Sequence, residues 1–420
     1  MNSPTAPPSL WRNPQFLRLW TGETASAIGS QLGNLAIPFL AVSVLAATEF
    51  QVGLLGAVGT AAFLLIGLPA GAWVDRWLKR RVMLVADLSR AIALATIPLF
   101  WLTGSLTIWH LLAVAAIVGA ATVFFDVAYQ SYIPVLVPSE SISDANSKLE
   151  TTQQLARVGG PAVSGVLLGL VRAPVLIGID ALTYLFSFVA LSTIRDTEVR
   201  AQKADRKPLV EEIREGMAFV VGEPLLRRIV LTTATSNLFG IIVMTMLPVL
   251  VLRELALSPA AWGTAASVGA IGGLLGALVS ARISRRIGDG TVIPAASIAS
   301  GLGLVVIALM PVFPAVAIPL LMAGEFVFSF GVLVYNIAQV SYRQRICPPR
   351  LLGRMNASIR FVVWGVMPIG GIASGVLSTT VGVVPTIWIG AVGGMLACIF
   401  VVLSPLLGMR ELPTRPAERV

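Results

Sequence analysis

Twelve long apolar runs, each closed by charges, prolines or glycines, follow one another along the 420-residue chain. A helix crossing the hydrocarbon core needs ~20 apolar residues, and in lipid only helices and closed barrels satisfy every backbone polar group. The runs fall at approximately 16–45, 52–74, 82–103, 107–134, 147–171, 174–194, 225–252, 259–281, 291–311, 315–342, 354–379 and 383–406. Residues of hydrophobic type make up 56% and charged residues 12%, about half the ~25% charged share of a soluble protein. The pattern predicts an all-α polytopic membrane protein of twelve transmembrane helices and excludes a cytosolic enzyme. Cys347 and Cys398 are not part of any CxxC or Cys/His cluster, so neither a disulfide framework nor a metal site is expected. The single histidine, His110, follows Trp109 at the head of a span and reads as an interfacial residue, not a catalytic one. The start MNSPTAPPSLWRNPQF has no cleavable apolar core, so the first span is expected to be retained.

Short connections join the runs, with one exception. Residues 195–224 hold a dense charge run followed by an amphipathic stretch from Leu209 to Val221, read as a cytoplasmic linker with a surface helix. The expected units are therefore 1–194, a first six-helix bundle; 195–224, the linker; and 225–420, a second six-helix bundle. Basic residues set the orientation. The even-numbered connections carry Arg76, Lys79, Arg80 and Arg81, then Lys148, Arg195 to Arg214, Arg282, Arg285 and Arg286, and Arg343 to Arg354; the opposite face receives Arg172 and Arg253. Both termini are expected in the cytoplasm, with the chain in the plasma (inner) membrane. The net charge of +9 follows from the same asymmetry, because basic loops meet anionic lipid headgroups. Dispersal over loops argues against nucleic-acid binding.

A shift of 210 residues superposes the chain on itself. Pro14 falls on Pro224, Arg18 on Arg228, Pro38 on Pro248, Gly53 on Gly263, Gly59 on Gly269, Pro138 on Pro348, Asn146 on Asn356, and Gly165-Val166-Leu167 on Gly375-Val376-Leu377. Two copies of six spans each keep the same orientation, as in parallel repeats about an axis along the membrane normal. Between these anchors a shift of 206 brings Arg76 onto Arg282 and Arg80 onto Arg286.

The stretch Gly71-Ala72-Trp73-Val74-Asp75-Arg76-Trp77-Leu78-Lys79-Arg80 resembles the loop motif between the second and third helices of the major facilitator superfamily, with a degraded echo at 276–286. Residues 12–31 and 345–365 resemble that superfamily's twelve-span drug-efflux branch, which includes macrolide and siderophore exporters. The similarity spans nearly the whole chain and departs from the motif at Trp73 and Leu78. It implies two pseudo-symmetric six-helix bundles, with the first, fourth, seventh and tenth helices lining a cavity. In the loop, Gly71, Asp75, Arg76 and Arg80 read as a conformational latch, with Asp75 against a helix N-terminus and the arginines on acidic partners or phosphates. Gly160, Pro161 and Gly165 in the fifth span are similar to the glycine-proline motif of the superfamily's antiporters.

Ionisable groups inside a span cost at least ~2.5 kcal/mol at the centre and are functional by default. Glu23 lies ~12 Å into the first span at 1.5 Å per residue, with Ser26, Ser30 and Asn34 on the same face. The repeat places Thr233 and Ser236 on the equivalent face of the seventh span. Asp126 in the fourth span is flanked by Phe125 and Tyr129, and Glu325 in the tenth is followed by Phe328 and Tyr335. Arg157 reaches a similar depth from the inner side. Glu23, Asp126, Glu325 and Arg157 are the proton-coupling candidates, because carboxylates beside an arginine can hold or release a proton as a cavity hydrates. Phe125, Tyr129, Phe328, Tyr335 and Trp364 are candidate cavity aromatics. Asp87 and Arg90, three residues apart, read as a structural pair near the inner surface, and Asp180 as structural.

Neither a GxxxxGK[ST] loop nor a Ser/His constellation occurs, so no cofactor, ATP site or reaction centre is expected. The reading is a monomeric secondary transporter that exports hydrophobic or amphipathic small molecules in exchange for protons by alternating access, with membrane lipids as its surroundings. The alternatives are a dedicated siderophore, lipid or metabolite exporter, an importer, or a membrane scaffold or sensor.

Overall fold

The computed structural model describes residues 10–74, 76–195, 198, 209–348 and 351–410. Asp75 and most of the charge run at 196–208 lie outside the described residues. Among the described residues all regular structure is helical. The first half holds α1 (Pro14–Phe39), α2 (Glu49–Leu65), α3 (Gly67–Val74), α4 (Lys79–Leu102), α5 (Ile108–Leu136), α6 (Ile142–Leu170) and α7 (Ala173–Ser192). The amphipathic stretch forms α8 (Leu209–Gly222). The second half holds α9 (Pro224–Val249), α10 (Pro259–Ile287), α11 (Val292–Ala308), α12 (Ala317–Ile346), α13 (Leu352–Val381), α14 (Val383–Leu396) and α15 (Ile399–Val402).

These helices make twelve spans. Nine are long and apolar enough to cross a membrane on their own, among the described residues. The second span is in two pieces, α2 and α3, because the helix breaks at Ile66, where φ is −122° and ψ −8°. The ninth, α11, is short, and the inner half of α6 is polar, carrying Asp144, Lys148, Glu150 and Arg157. The last span likewise divides into α14 and α15.

Local chemistry repeats along with the sequence. Thr48 caps α2 in a capping box with Gln51, and Ser258, 210 residues on, caps α10 by accepting from the Ala261 amide at 3.2 Å. Both α1 and α9 end in a π-helical turn, Leu40–Val44 and Leu250–Glu254. Each turn is followed by an alanine in the left-handed region, Ala46 at φ 48° and Ala256 at φ 49°, a conformation that costs an L-residue ~1–2 kcal/mol. Arg18 donates to the Thr193 carbonyl at 2.7 Å, and its repeat mate Arg228 donates to the Leu403 carbonyl. Each arginine thereby binds a carbonyl just past the end of the last span of its own bundle, where cations are favoured.

Helix packing follows the same two-fold plan. In the first bundle α1 packs on α6 and α7, α5 on α2 and α4, and α4 on α7. In the second, α9 packs on α13 and α14, α12 on α10 and α11, and α11 on α14. The bundles meet along two seams, α2 with α13 and α6 with α10. On the face opposite the basic connections, one continuous hydrophobic core takes residues from both halves, including Leu40, Val52 and Leu94 with Val249, Leu250 and Ile387. Toward the basic face the core divides by bundle, and a small cluster of Ala62, Ala70 and Val123 accompanies the larger one of the first half. One cluster, with Phe16, Met83 and Tyr132, belongs to the first half, and another, with Ile229, Tyr335 and Met355, to the second. The bundles are thus joined at the far face by buried apolar surface and have separate cores at the basic face. Helix α8 packs on α13 and α9 at that face.

Candidate functional site

Small residues on α1 make the first feature possible. Gly29 and Gly33 face α7, and the Asp180 carboxylate fills the space that a side chain on Gly33 would occupy. On the adjoining faces Glu23, Asp87, Arg90 and Asp180 are all buried, at 7%, 0%, 4% and 3% exposure. Arg90 pairs with Asp87 one turn earlier on α4. Its guanidinium also lies 4.3 Å from the ring centres of both Phe125 on α5 and Tyr184 on α7, and such desolvated cation–π contacts are worth ~2 kcal/mol. The Arg90 charge acts on Glu23, Asp126 and Asp180 as well, and Glu23 also feels Asp87 and Asp126. Glu23 Oε1 is buried without a hydrogen-bond partner. Four carboxylates from α1, α4, α5 and α7 therefore lie within electrostatic reach of one arginine, and Asp87 pairs with it directly.

Arg90 lies eleven residues from the start of α4, ~16 Å at 1.5 Å per residue. The Asp87–Arg90 pair is intrahelical, as its spacing suggests, but it sits deep in the span and not near the surface. Arg157, by contrast, is exposed on α6. The cation that acts on both Glu23 and Asp126 is Arg90.

Glu325 occupies a different setting. It rests against Gly269 of α10, whose missing side chain makes room for it: a β-carbon there would lie 3.1 Å from Glu325 Oε2 and 3.2 Å from Glu325 Cβ. Among the described residues no ion pair engages it.

Between the bundles, toward the basic face, α2, α3, α5 and α13 enclose a cavity of about 370 Å³. Its walls include Phe63, Asp126, Gln130, Ser131, Arg360 and Trp364. Phe63 and Trp364 meet edge to face at 5.1 Å, and the Arg360 guanidinium lies 4.8 Å from the Trp364 ring centre. Asp126 and Arg360 thus face the same space from opposite bundles, close enough for the Arg360 charge to act on Asp126. Arg360 is absent from the sequence-derived candidates, although an arginine six residues inside the eleventh run was a usable signal.

Other candidates are spread more widely. Ser26 is buried beside Glu23, but its hydroxyl donates to the Glu23 carbonyl at 3.2 Å, and Ser30 donates to Ala27 at 3.0 Å; Asn34 is exposed. Phe125 and Tyr129 stack at 6.1 Å. Phe125 is buried under Arg90, and Tyr129 lines a second cavity of about 590 Å³ with Asn146 and Glu150. Thr233 and Tyr335 hydrogen-bond each other at 2.8 Å, and Tyr335 also donates to the Ile229 carbonyl at 3.1 Å, so this pair ties α12 to α9. Ser236 is half-buried, and Phe328 packs over Gly303 of α11.

The glycine-proline motif lies at a three-helix junction. Gly160 faces the Gln31 side chain of α1, the Pro161 carbonyl faces Gly263 of α10, and Gly165 faces Pro259 and Gly263. Ser164 donates to the Gln31 carbonyl at 3.0 Å, and the Ala162 amide donates to Ser267 Oγ at 2.9 Å. In the loop motif, Gly71 falls in α3 and Arg76 is exposed. Arg80 donates from Nε to the Leu191 carbonyl at 3.0 Å and from Nη2 to the Ser192 carbonyl at 2.5 Å, while Lys79 pairs with Glu198 at 2.9 Å. Trp73 stacks on Phe124 of α5 at 6.0 Å, with Trp77 alongside at 6.1 Å, so the two indoles pin this loop to α5. His110 accepts or donates at 2.9 Å to Thr96 and packs on Phe100, a structural role.

Comparison with known proteins agrees with this architecture. A multidrug efflux pump Tap of Mycolicibacterium fortuitum is 26% identical over 416 residues, covering 96% of this chain and 99% of the relative. Macrolide efflux protein A of Streptococcus pyogenes is 23% identical over 411 residues, covering 95% of this chain and 97% of the relative. The solved structure of a bacterial homologue of the iron transporter ferroportin in an inward-facing state superposes with a TM-score of 0.76 at 17% identity, over 94% of this chain and 99% of that one. The family described as transmembrane secretion effector matches residues 3–419, and the chain belongs to this family of the major facilitator superfamily.

Proposed function

We propose that the chain is a secondary exporter that moves hydrophobic or amphipathic small molecules out of the cell in exchange for protons by alternating access. The basic face is the cytoplasmic one, with both termini on it, in the plasma membrane. The observation that carries the proton coupling is the set of Glu23, Asp87, Asp126 and Asp180 that shares Arg90. One guanidinium neutralises one carboxylate, so the remaining acids can take up and give up protons as water enters or leaves. Asp126 connects this set to the cavity between the bundles, where substrate would compete with protons for its charge. Relatives named as multidrug and macrolide efflux proteins over nearly the full chain support the direction of transport.

Alternating access fits the way the bundles meet. A far face joined by one core and a basic face with separate cores for each bundle supports a cavity open to the cytoplasm. Pro161 and the seam glycines let the bundles rock on each other. The test is purified protein in proteoliposomes with an imposed pH gradient and a panel of fluorescent amphipathic dyes. Gradient-dependent dye movement, with proton flux that stops when dye is absent, supports the reading. Dye movement indifferent to the gradient contradicts it.

A further inference from the structure

We infer that the cavity between α2, α3, α5 and α13 selects substrates that carry a carboxylate or other anionic group on a flat aromatic body, with Arg360 as the anion-binding residue. The inference rests on the export reading and narrows its substrate class.

Charge is laid out in this cavity with opposite sign on its two walls. Asp126 stands on α5 of the first bundle and Arg360 on α13 of the second. Neither enters an ion pair among the described residues. Arg343 on α12 adds its field to that of Arg360, so the second bundle contributes two cations on this side. On the first-bundle side, Glu23 adds its field to that of Asp126. A cation bound between the walls would be attracted by one and repelled by the other, whereas a zwitterion aligned from Asp126 to Arg360 satisfies both.

Arg360 is also presented for the purpose. Its guanidinium is held 4.8 Å from the Trp364 ring centre, and Trp364 is braced edge to face by Phe63 at 5.1 Å. Contact with the indole restrains the guanidinium, and no hydrogen bond among the described residues occupies its N–H groups, so they are open to a bidentate anion, the pairing for which arginine is suited and lysine is not. The same aromatic pair offers an apolar surface to a planar ligand body. At about 370 Å³ the space suits a compact drug-sized molecule. Because its walls come from both bundles, a ligand that bridges them is sensed by the elements that move.

The test compares tetramethylrhodamine, which carries a free carboxylate beside its cationic ring system, with its methyl ester, which lacks the negative charge. Dye anisotropy is titrated with purified wild type, Arg360→Gln, Arg360→Lys and Asp126→Asn, each checked for an unchanged melting temperature. The expected result is about tenfold tighter binding of the carboxylate dye to wild type, one charge-assisted contact's worth. Arg360→Gln abolishes that preference by weakening only the carboxylate dye, Arg360→Lys keeps part of it, and Asp126→Asn weakens both dyes. Equal affinities in wild type, no binding of either dye, or an Arg360→Gln loss shared by both dyes would overturn the inference. Transport of both dyes is measured in parallel in proteoliposomes. If the ester is pumped without any carboxylate preference, export stands and the role of Arg360 fails. If the preference is present but neither dye moves, the site stands and the export reading fails.

Discussion

Gly53 of α2 lies so close to Gly375 of α13 that a β-carbon on Gly53 would stand 2.6 Å from Gly375 Cα. The other seam is made by the repeat mates of these two residues in exchanged roles: Gly263 of α10 faces Gly165 of α6, with a β-carbon on Gly165 coming 3.0 Å from Gly263 Cα and 2.5 Å from the Pro259 carbonyl. Both contacts lie near the far-face ends of their helices. Two glycine pairs related by the same internal repeat therefore set how closely the bundles approach at that face.

Gly165→Ala is expected to hold the far face apart and reduce transport about tenfold, because backbone, not a flexible side chain, opposes the added methyl. Gly169→Ala, one turn further along the same helix and facing open space, is expected to leave transport within about twofold. Dye efflux from cells normalised to the amount of protein in the membrane distinguishes them. Equal effects of the two substitutions would remove the seam from the account.

Arg253 fastens the same face across the bundles. Its guanidinium pairs with Glu49 at 2.9 Å and donates to the Ala47 and Val42 carbonyls at 2.7 and 3.2 Å. The pair is partly exposed, so its own contribution is modest, but the two carbonyl contacts add charge-assisted hydrogen bonds. Arg253→Ala is expected to shift the population toward a far-face-open state several-fold, read as faster thiol labelling at cysteines introduced along α2 and α10. An unchanged labelling rate would show that the apolar core alone holds the face closed.

Asp87 and Arg90 are predicted to be inseparable. Removing one member of a buried pair leaves a buried charge uncompensated, at a cost of ~3–5 kcal/mol. Arg90→Gln should lower the melting temperature and yield in detergent, and Asp87→Asn added to it should recover much of the loss. Proton-coupled transport should stay low in the double variant, since the one cation that acts on both Glu23 and Asp126 is still missing. A double variant that pumps normally would make Arg90 purely structural.

Spans and repeat were legible because both are written in one dimension. Apolar length marks a helix in lipid, and the 210-residue shift places Thr48 on Ser258, Ala46 on Ala256 and Arg18 on Arg228 whatever the helices then pack against. The site was legible in part. Glu23 and Asp126 stood out as acids inside apolar runs, but their cation did not. Arg157 shares their depth, whereas Arg90 reaches them only because α1, α4, α5 and α7 converge, and its i,i+3 acid made it look locally satisfied. Arg360 was hidden by its neighbours, since Arg345, Arg350 and Arg354 just before it read as topology signals and the arginine inside the span went unweighed. Thr233 and Tyr335 read as cavity residues of the seventh and tenth runs, and only the hydrogen bond between α9 and α12 shows that their hydroxyls satisfy each other.

Proton uptake by Glu23 is the claim on which the account turns. Its most direct test is gradient-driven dye transport in inverted membrane vesicles, comparing wild type with Glu23→Gln and Glu325→Gln at equal protein. The account predicts that Glu23→Gln loses at least about tenfold of the pH-gradient-driven rate while still binding dye. It predicts that Glu325→Gln, removed from the Arg90 cluster, loses less. Glu23→Gln vesicles that pump at the wild-type rate and still respond to the pH gradient would contradict it.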